Sequence, residues 1–219
     1  MPTNGVYTVL EMCTEGLREA GVLAIDEDAD AETFAVAIKR LNMMLKAWQN
    51  SAITIWKQSS GSITITDATL SYAIAERPLR LDTVTRKTTG GIETSMISMT
   101  RDEYKTLPDK DSTGTPSQFY YHRQLSQGEL FVWPVMAIGS GTIEWSGVAE
   151  TEDVTLGSDA IDVPSEWYEA TVYGLAYRLC GAFSIDPVKT QMIQMMARDA
   201  YRAAMGADVE ESVYFMAAR

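Results

Sequence analysis

The chain has 219 residues, 46% hydrophobic and 22% charged, the balance of a soluble globular protein of one or two domains with room for a sizeable core. Its 18 Lys and Arg stand against 30 Asp and Glu, a net charge of -12, and the nearest approach to a basic run is Arg86-Lys87, which argues against a protein that wraps nucleic acid by releasing counterions. The first twenty residues carry Glu11 and Glu15 and no continuous apolar stretch, so no secretory signal is read there, and no apolar run approaches the roughly 20 residues of a membrane helix. The simplest expectation is a protein made and kept in the cytosol of its host.

Taken in chain order, Val6, Val9, Leu10, Cys13 and Leu17 recur at helical spacing, predicting a first helix from Thr3 to Ala20 with Thr3 or Asn4 as N-cap and Gly21 as its stop. The acidic stretch Asp26 to Asp30 suits the start of a second helix, along which Phe34, Ile38, Leu41, Leu45 and Trp48 form a stripe. After Gln49-Asn50 the texture changes. Ile53 to Trp56, Ser62 to Thr66, Leu79 to Thr85, Ile92 to Met99, Gln118 to Tyr121, Glu129 to Trp133 and Thr142 to Trp145 read as short strands of a small sandwich or barrel-like sheet, with Gly90-Gly91 and Gly139-Ser140-Gly141 as hairpin turns. Within this region Thr100-Arg101-Asp102-Glu103 fits a capping box, predicting one helical turn that ends before Pro108.

Ala149 to Val163 is acidic and irregular, and helix returns at Pro164-Ser165-Glu166. Trp167, Ala170, Tyr173, Gly174, Tyr177 and Leu179 share a stripe, Asp186-Pro187 interrupts it, and Met192, Met195, Met196, Ala200, Ala203 and Ala204 mark a last helix stopped by Gly206. The predicted class is α+β: a four-helix bundle from residues 1–51 and 164–206, a β-rich insertion over 52–148, a linker over 149–163 and an extended C-terminal tail over 207–219. The twelve methionines, four of them in the last two helices, fit either plastic core filler or an adaptable contact surface. Cys13 and Cys180 fall on apolar faces and read as buried free thiols.

Catalytic chemistry finds little support. The single histidine, His122, lies in a predicted strand with no nucleophile elbow anywhere, and one imidazole cannot be assembled into several alternative triads. Zinc would require more Cys and His than these three scattered residues, and Asp26-Glu27-Asp28-Ala29-Asp30 resembles a calcium loop only in charge. No glycine-rich loop leads from a strand into Lys-Ser/Thr, so no phosphate cradle and no cofactor is expected. An Asp/Glu pair for sugar hydrolysis stays open, since thirty acids always supply some pair at a workable separation. The most distinctive surface feature is the tail, where Val213-Tyr214-Phe215-Met216 follows a helix stop and should be exposed unless it docks.

Leu41 to Gln49 followed by Ile53 to Trp56, Pro116-Ser117-Gln118-Phe119-Tyr120-Tyr121 running to Leu130-Phe131-Val132-Trp133-Pro134, and Val163 to Trp167 with Tyr173 to Leu179 resemble the head-to-tail adaptor proteins of short-tailed bacteriophages, also called connector, head completion or packaged-DNA stabilisation proteins. The resemblance implies a non-enzymatic virion protein that joins the portal ring after packaging, forms a ring of probably twelve copies, extends the channel through which double-stranded DNA passes without specific binding, and offers a platform to nozzle or tube proteins of the tail. It implies a place at the head-tail junction, assembly in the host cytoplasm, no membrane, and a portal contact through Val213, Tyr214, Phe215 and Met216. Twelve copies at -12 each would bring about -140 formal charges to such a ring, so a lumen lined by them repels passing phosphates. The alternatives are a cell-wall hydrolase of virion entry and a tail-tube or stopper subunit.

Overall fold

The computed structural model describes residues 7–49, 57–66, 69–88, 90–137, 141–161 and 163–207. They fall into two compact units, one made of the chain up to Ile53 together with Thr151 onward, the other of Thr54–Glu150. The protein is α+β, with five α-helices and several sheets among the described residues.

In the first unit, helix α1 spans Val9–Ala20 and begins later than the spacing predicts. The correction has a local cause. Thr8 accepts the Glu11 N–H at 3.3 Å while the Glu11 carboxylate accepts the Thr8 N–H at 2.7 Å, a reciprocal capping box that places the helix start at Thr8 rather than at Thr3 or Asn4. The Thr8 N–H and, at 2.9 Å, the Thr8 hydroxyl both donate to the Glu11 carboxylate and hold it below its ordinary range. Gly21 stops the helix in the left-handed conformation (φ 82°), as expected. Helix α2, Ala31–Gln49, is capped by Asp30, whose carboxylate accepts the Thr33 N–H at 2.7 Å, and buries Ala37, Leu41, Met44 and Leu45.

A turn of 3-10 helix, Ser165–Trp167, leads into helix α4, Tyr168–Ala182, and helix α5 spans Pro187–Ala207, one residue beyond the expected stop at Gly206. Helix α4 packs against α1, α2 and α5 and carries most of the apolar seam: Ala170, Leu175, Ala176, Leu179 and Cys180 are all buried. At Gly16 the α1 backbone lies so close to α4 that a Cβ there would fall 2.9 Å from Leu175 Cδ2. Trp167 (1% exposed) sits among Trp48 of α2 and Tyr201 of α5, ring centroids 5.5 and 5.6 Å away. Trp167 and Leu179 are buried together, as their stripes predict, whereas Trp48 is only partly buried.

The acidic segment following Glu150 is fastened to the helices through its backbone, by side-chain amides of α2 and by the start of α1. The Asn42 amide donates to the Val154 carbonyl at 2.9 Å and accepts the Val154 N–H at 3.0 Å, and Gln49 accepts the Thr151 N–H at 3.0 Å. Further on, the N–H groups of Val9 and Leu10, orphaned at the start of α1, donate to Asp159 and Gly157, each at 2.9 Å. Val154, Ile161 and Val163 are buried.

In the second unit, strands β1 (Gln58–Ile65), β10 (Gly141–Val148), β3 (Arg80–Thr88) and β4 (Glu93–Ser95) form one sheet in that spatial order. Strands β2 (Ser71–Ile74), β8 (Gly128–Trp133), β7 (Gln118–Arg123) and β5 (Ile97–Ser98) form a second. Both sheets contribute to one core: Ile65, Val84, Ile143 and Trp145 from the first, Ile74, Phe119, Leu130 and Val132 from the second. Alternation places them there, most clearly in β8 and β10, where every second residue is buried. The expected strand Ile92 to Met99 is two strands in different sheets: β4 pairs with β3, β5 pairs with β7, and the buried Met96 lies at the crossing. Strands β6 (Thr113–Gly114) and β9 (Val135–Met136) add a short parallel pair. The capping box at Thr100 and Glu103 starts helix α3, Arg101–Thr106, where the sequence predicts it. The Gly90-Gly91 turn closes the β3–β4 hairpin, with Gly91 left-handed and the Thr88 N–H donating to Ile92 at 3.0 Å. The expected strand Ile53 to Trp56 and residues 138–140 of the second turn lie outside the described residues.

Candidate interaction site

His122 lies in β7, stacked on Tyr120, with its Nδ1 4.0 Å from Glu129 of the neighbouring strand. Glu129 in turn accepts from the Ser71 hydroxyl at 2.9 Å and from the Gln124 amide at 2.7 Å. The order is serine to carboxylate, with the imidazole on the far side, so the hydroxyl does not face the base that a triad requires. The arrangement ties β2, β7 and β8 together across their polar faces. Among the described residues no three of His, Cys, Asp and Glu are placed to hold a metal, and no helix is long and apolar enough to cross a membrane.

The surface of the helical unit is more informative. Helix α5 carries two apolar stripes rather than one. Ile193 and Ala204 are buried, while Val188 (77% exposed), Met192, Met195 (58%), Met196 and Met205 face solvent. The four methionines of α5 therefore form surface, not core filler, and the stripe that the sequence assigns to the last helix is split between the two faces. Unbranched thioethers on an exposed face can repack against partners of varied shape. Met43 and Leu10, on α2 and α1, add to the exposed apolar area.

Between α2, α4 and α5 runs a groove of about 420 Å³, with Met44 and Gly174 on its floor, Trp48, Tyr177 and Tyr201 along its sides, and Arg178 and Arg198 at its edge. Gly174 keeps the floor open: a Cβ there would fall 2.8 Å from Met44 Sδ and 3.2 Å from the Trp48 ring. A neighbouring recess shares Tyr177 and Arg178 and adds Arg40. Burial pushes the Arg178 guanidinium below its ordinary pKa; the phenol of Tyr177 opposes this and the charge of Arg40 adds to it. Sequence reading missed these residues. Arg178 does interrupt an otherwise apolar stripe, but its neighbours Arg40 and Arg198 come from helices whose packing only the fold reveals.

In the β unit, Ser60, Ser62, Thr83, Thr85, Glu144 and Ser146 line a second, hydroxyl-rich trough beside Trp145. Lys87 crosses its end between Glu93 at 2.9 Å and Glu144 at 3.1 Å, and these two carboxylates hold its ammonium above the ordinary lysine range. Val213, Tyr214, Phe215 and Met216, the expected portal contact, lie outside the described residues.

The described residues thus form two units of an α+β protein, one of which exposes an apolar, methionine-bearing helical surface. Over residues 7–218 the sequence matches the SU10 adaptor protein family, and the chain belongs to that family. No curated protein sequence matches it. The family is one of structural phage adaptors, which implies a place in the virion and interaction with portal and tail components.

Proposed function

We propose that this chain is the head-to-tail adaptor that binds the portal ring after DNA packaging, extends the DNA channel and presents the platform on which the tail is built. The observation that carries this reading is the family match along nearly the whole chain, residues 7–218. The surface chemistry supports it. An exposed methionine face on α5 and further apolar side chains on α1 and α2 give the helical unit more than one surface for neighbours, which a head-to-tail ring requires. A formal charge of -12 per copy makes DNA a passenger rather than a ligand.

The ring is proposed to hold twelve copies, with a helical bundle and a β-rich unit in each, and to meet the portal through Val213, Tyr214, Phe215 and Met216. Docking large apolar side chains contributes about 1.5–3 kcal/mol each before ordering costs, and symmetric repetition turns weak arms into a durable joint. Like-charged subunits repel, so a template is needed: the isolated chain is expected to be monomeric or weakly associated and to form rings when portal is added. Negative-stain imaging of the full chain mixed with portal rings tests this. An added ring layer on the portal is expected, together with its loss when Glu211–Arg219 is deleted at unchanged melting temperature. A chain that never sediments with portal but assembles on tail tubes would overturn the portal-proximal assignment.

A further inference from the structure

Arg178 and Arg198 line the α2–α4–α5 groove, Arg40 lines the recess beside it, and none of the three has a carboxylate partner among the described residues. In a chain with 30 acids and 18 bases, acidic side chains are the abundant counter-charge, so this is a site without its complement. The half-buried guanidinium groups of Arg40 and Arg178 gain most from carboxylates that reach them in a partly desolvated cleft, with the exposed Arg198 adding charge at its mouth, and the faces of Trp48, Tyr177 and Tyr201 ask for an apolar or planar group between the charges. The fitting occupant is therefore a short acidic segment that carries a large apolar side chain.

The loop joining α1 to α2 is such a segment, with free valences. Ile25 there is 88% exposed, the most exposed branched aliphatic side chain of the helical unit. Asp26 and Asp28 follow it without a partner, while Glu27 accepts the Ala24 N–H at 3.2 Å and braces the turn that carries Ile25. The acidic stretch after Glu150 is more engaged: Glu150 pairs with Arg77, Asp153 lies 3.5 Å from Lys46, and the Val154 backbone is held by Asn42. No residue of the Ile25 loop lines the groove of its own chain, so joining the two takes a second copy.

We propose that the groove receives the Ile25–Asp28 loop of a neighbouring copy, with Ile25 against the aromatic walls and Asp26 and Asp28 on the arginines. Resting on the adaptor reading above, this identifies the contact between successive subunits of its ring. The two patches are different, so each copy offers a loop on one side and a groove on the other, and the contact repeats from copy to copy instead of closing as a two-fold dimer. The acidic loop also turns part of the net charge from a repulsion into a specific attraction at that one place.

Cross-linking of the full chain tests it. Ala24→Cys sits beside the loop and Ala47→Cys on the groove wall, and the native Cys13 and Cys180 are buried. Oxidation of the double variant, concentrated or assembled on portal rings, should give a ladder of disulfide-linked oligomers, while an equimolar mixture of the two single variants should stop at dimers. Arg178→Glu should weaken the ladder at least tenfold, and adding Asp26→Arg should recover it. Arg198→Glu, at an exposed position, repeats the test without touching the core. A ladder that ignores both arginine changes, or none where stained rings still form on portal, overturns the interface while leaving the adaptor reading intact. Absence of rings on portal under every condition overturns that reading and the interface with it.

Discussion

Replacing Trp167 by Ala tests the packing on which the helical unit depends. The side chain is 1% exposed and joins three elements, the 3-10 turn before α4, Trp48 of α2 and Tyr201 of α5, whose rings lie 5.5 and 5.6 Å away. A tryptophan removes about 150–250 Å² from water, which at about 25 cal/mol per Å² corresponds to about 4–6 kcal/mol for the whole residue. Alanine retains its Cβ, and Trp48 and Tyr201, which border the open groove, can settle partly into the space. The expected loss is therefore about 3–5 kcal/mol, within the range of buried Trp to Ala changes. Urea unfolding of the full chain, followed by far-ultraviolet circular dichroism, measures it, and iodide should leave the Trp167 fluorescence of the native protein unquenched. A loss below about 1 kcal/mol, typical of a surface change, would refute the buried aromatic cluster.

The close approach of α1 to α4 at Gly16 predicts that Gly16→Val, which drives side-chain atoms into Leu175, lowers the melting temperature of the full chain more than Gly181→Val, where a Cβ meets nothing within 4 Å. Thr8→Ala removes the capping hydroxyl of α1 and should cost about 1 kcal/mol in the same denaturant assay, with Thr8→Asp restoring most of it. Burial pushes the Cys13 thiol up from 9.0 to about 12, so it should stay unreactive towards a thiol-specific disulfide reagent at mildly alkaline pH until the protein unfolds. Because the unfolded chain releases this proton near 9.0 and the folded one only near about 12, stability should fall as pH rises through that window. Cys13→Ala, compared by pH-dependent urea melts, should flatten that decline.

What the sequence alone determined is whatever short-range chemistry decides. The Thr100/Glu103 box reciprocates bonds across three residues, so α3 starts where its residues say, and the alternation in Glu129–Trp133 and Thr142–Trp145 already assigns their inward faces. The Thr8/Glu11 box obeys the same rule and was equally legible; the apolar residues upstream obscured it. The family was legible too, through the resemblance carried by Leu41 to Gln49, Pro116 to Tyr121 and Val163 to Trp167, a likeness of residues rather than of composition or spacing. Tertiary structure alone decided which faces are used. Helix α5 has two apolar stripes, and nothing within the helix says that Ile193 and Ala204 meet its neighbours while Met192, Met195 and Met196 face water; that choice is made by the surface α4 offers. Ile92 to Met99 reads as one strand because alternation continues through Met96, whereas pairing partners from distant sequence divide it between two sheets. The groove follows the same logic: Arg178 and Arg198 are unremarkable on separate helices and become a site only when packing brings them beside Trp48, Tyr177 and Tyr201, with Arg40 in the adjoining recess, because charge and apolar area act through space and not along the chain.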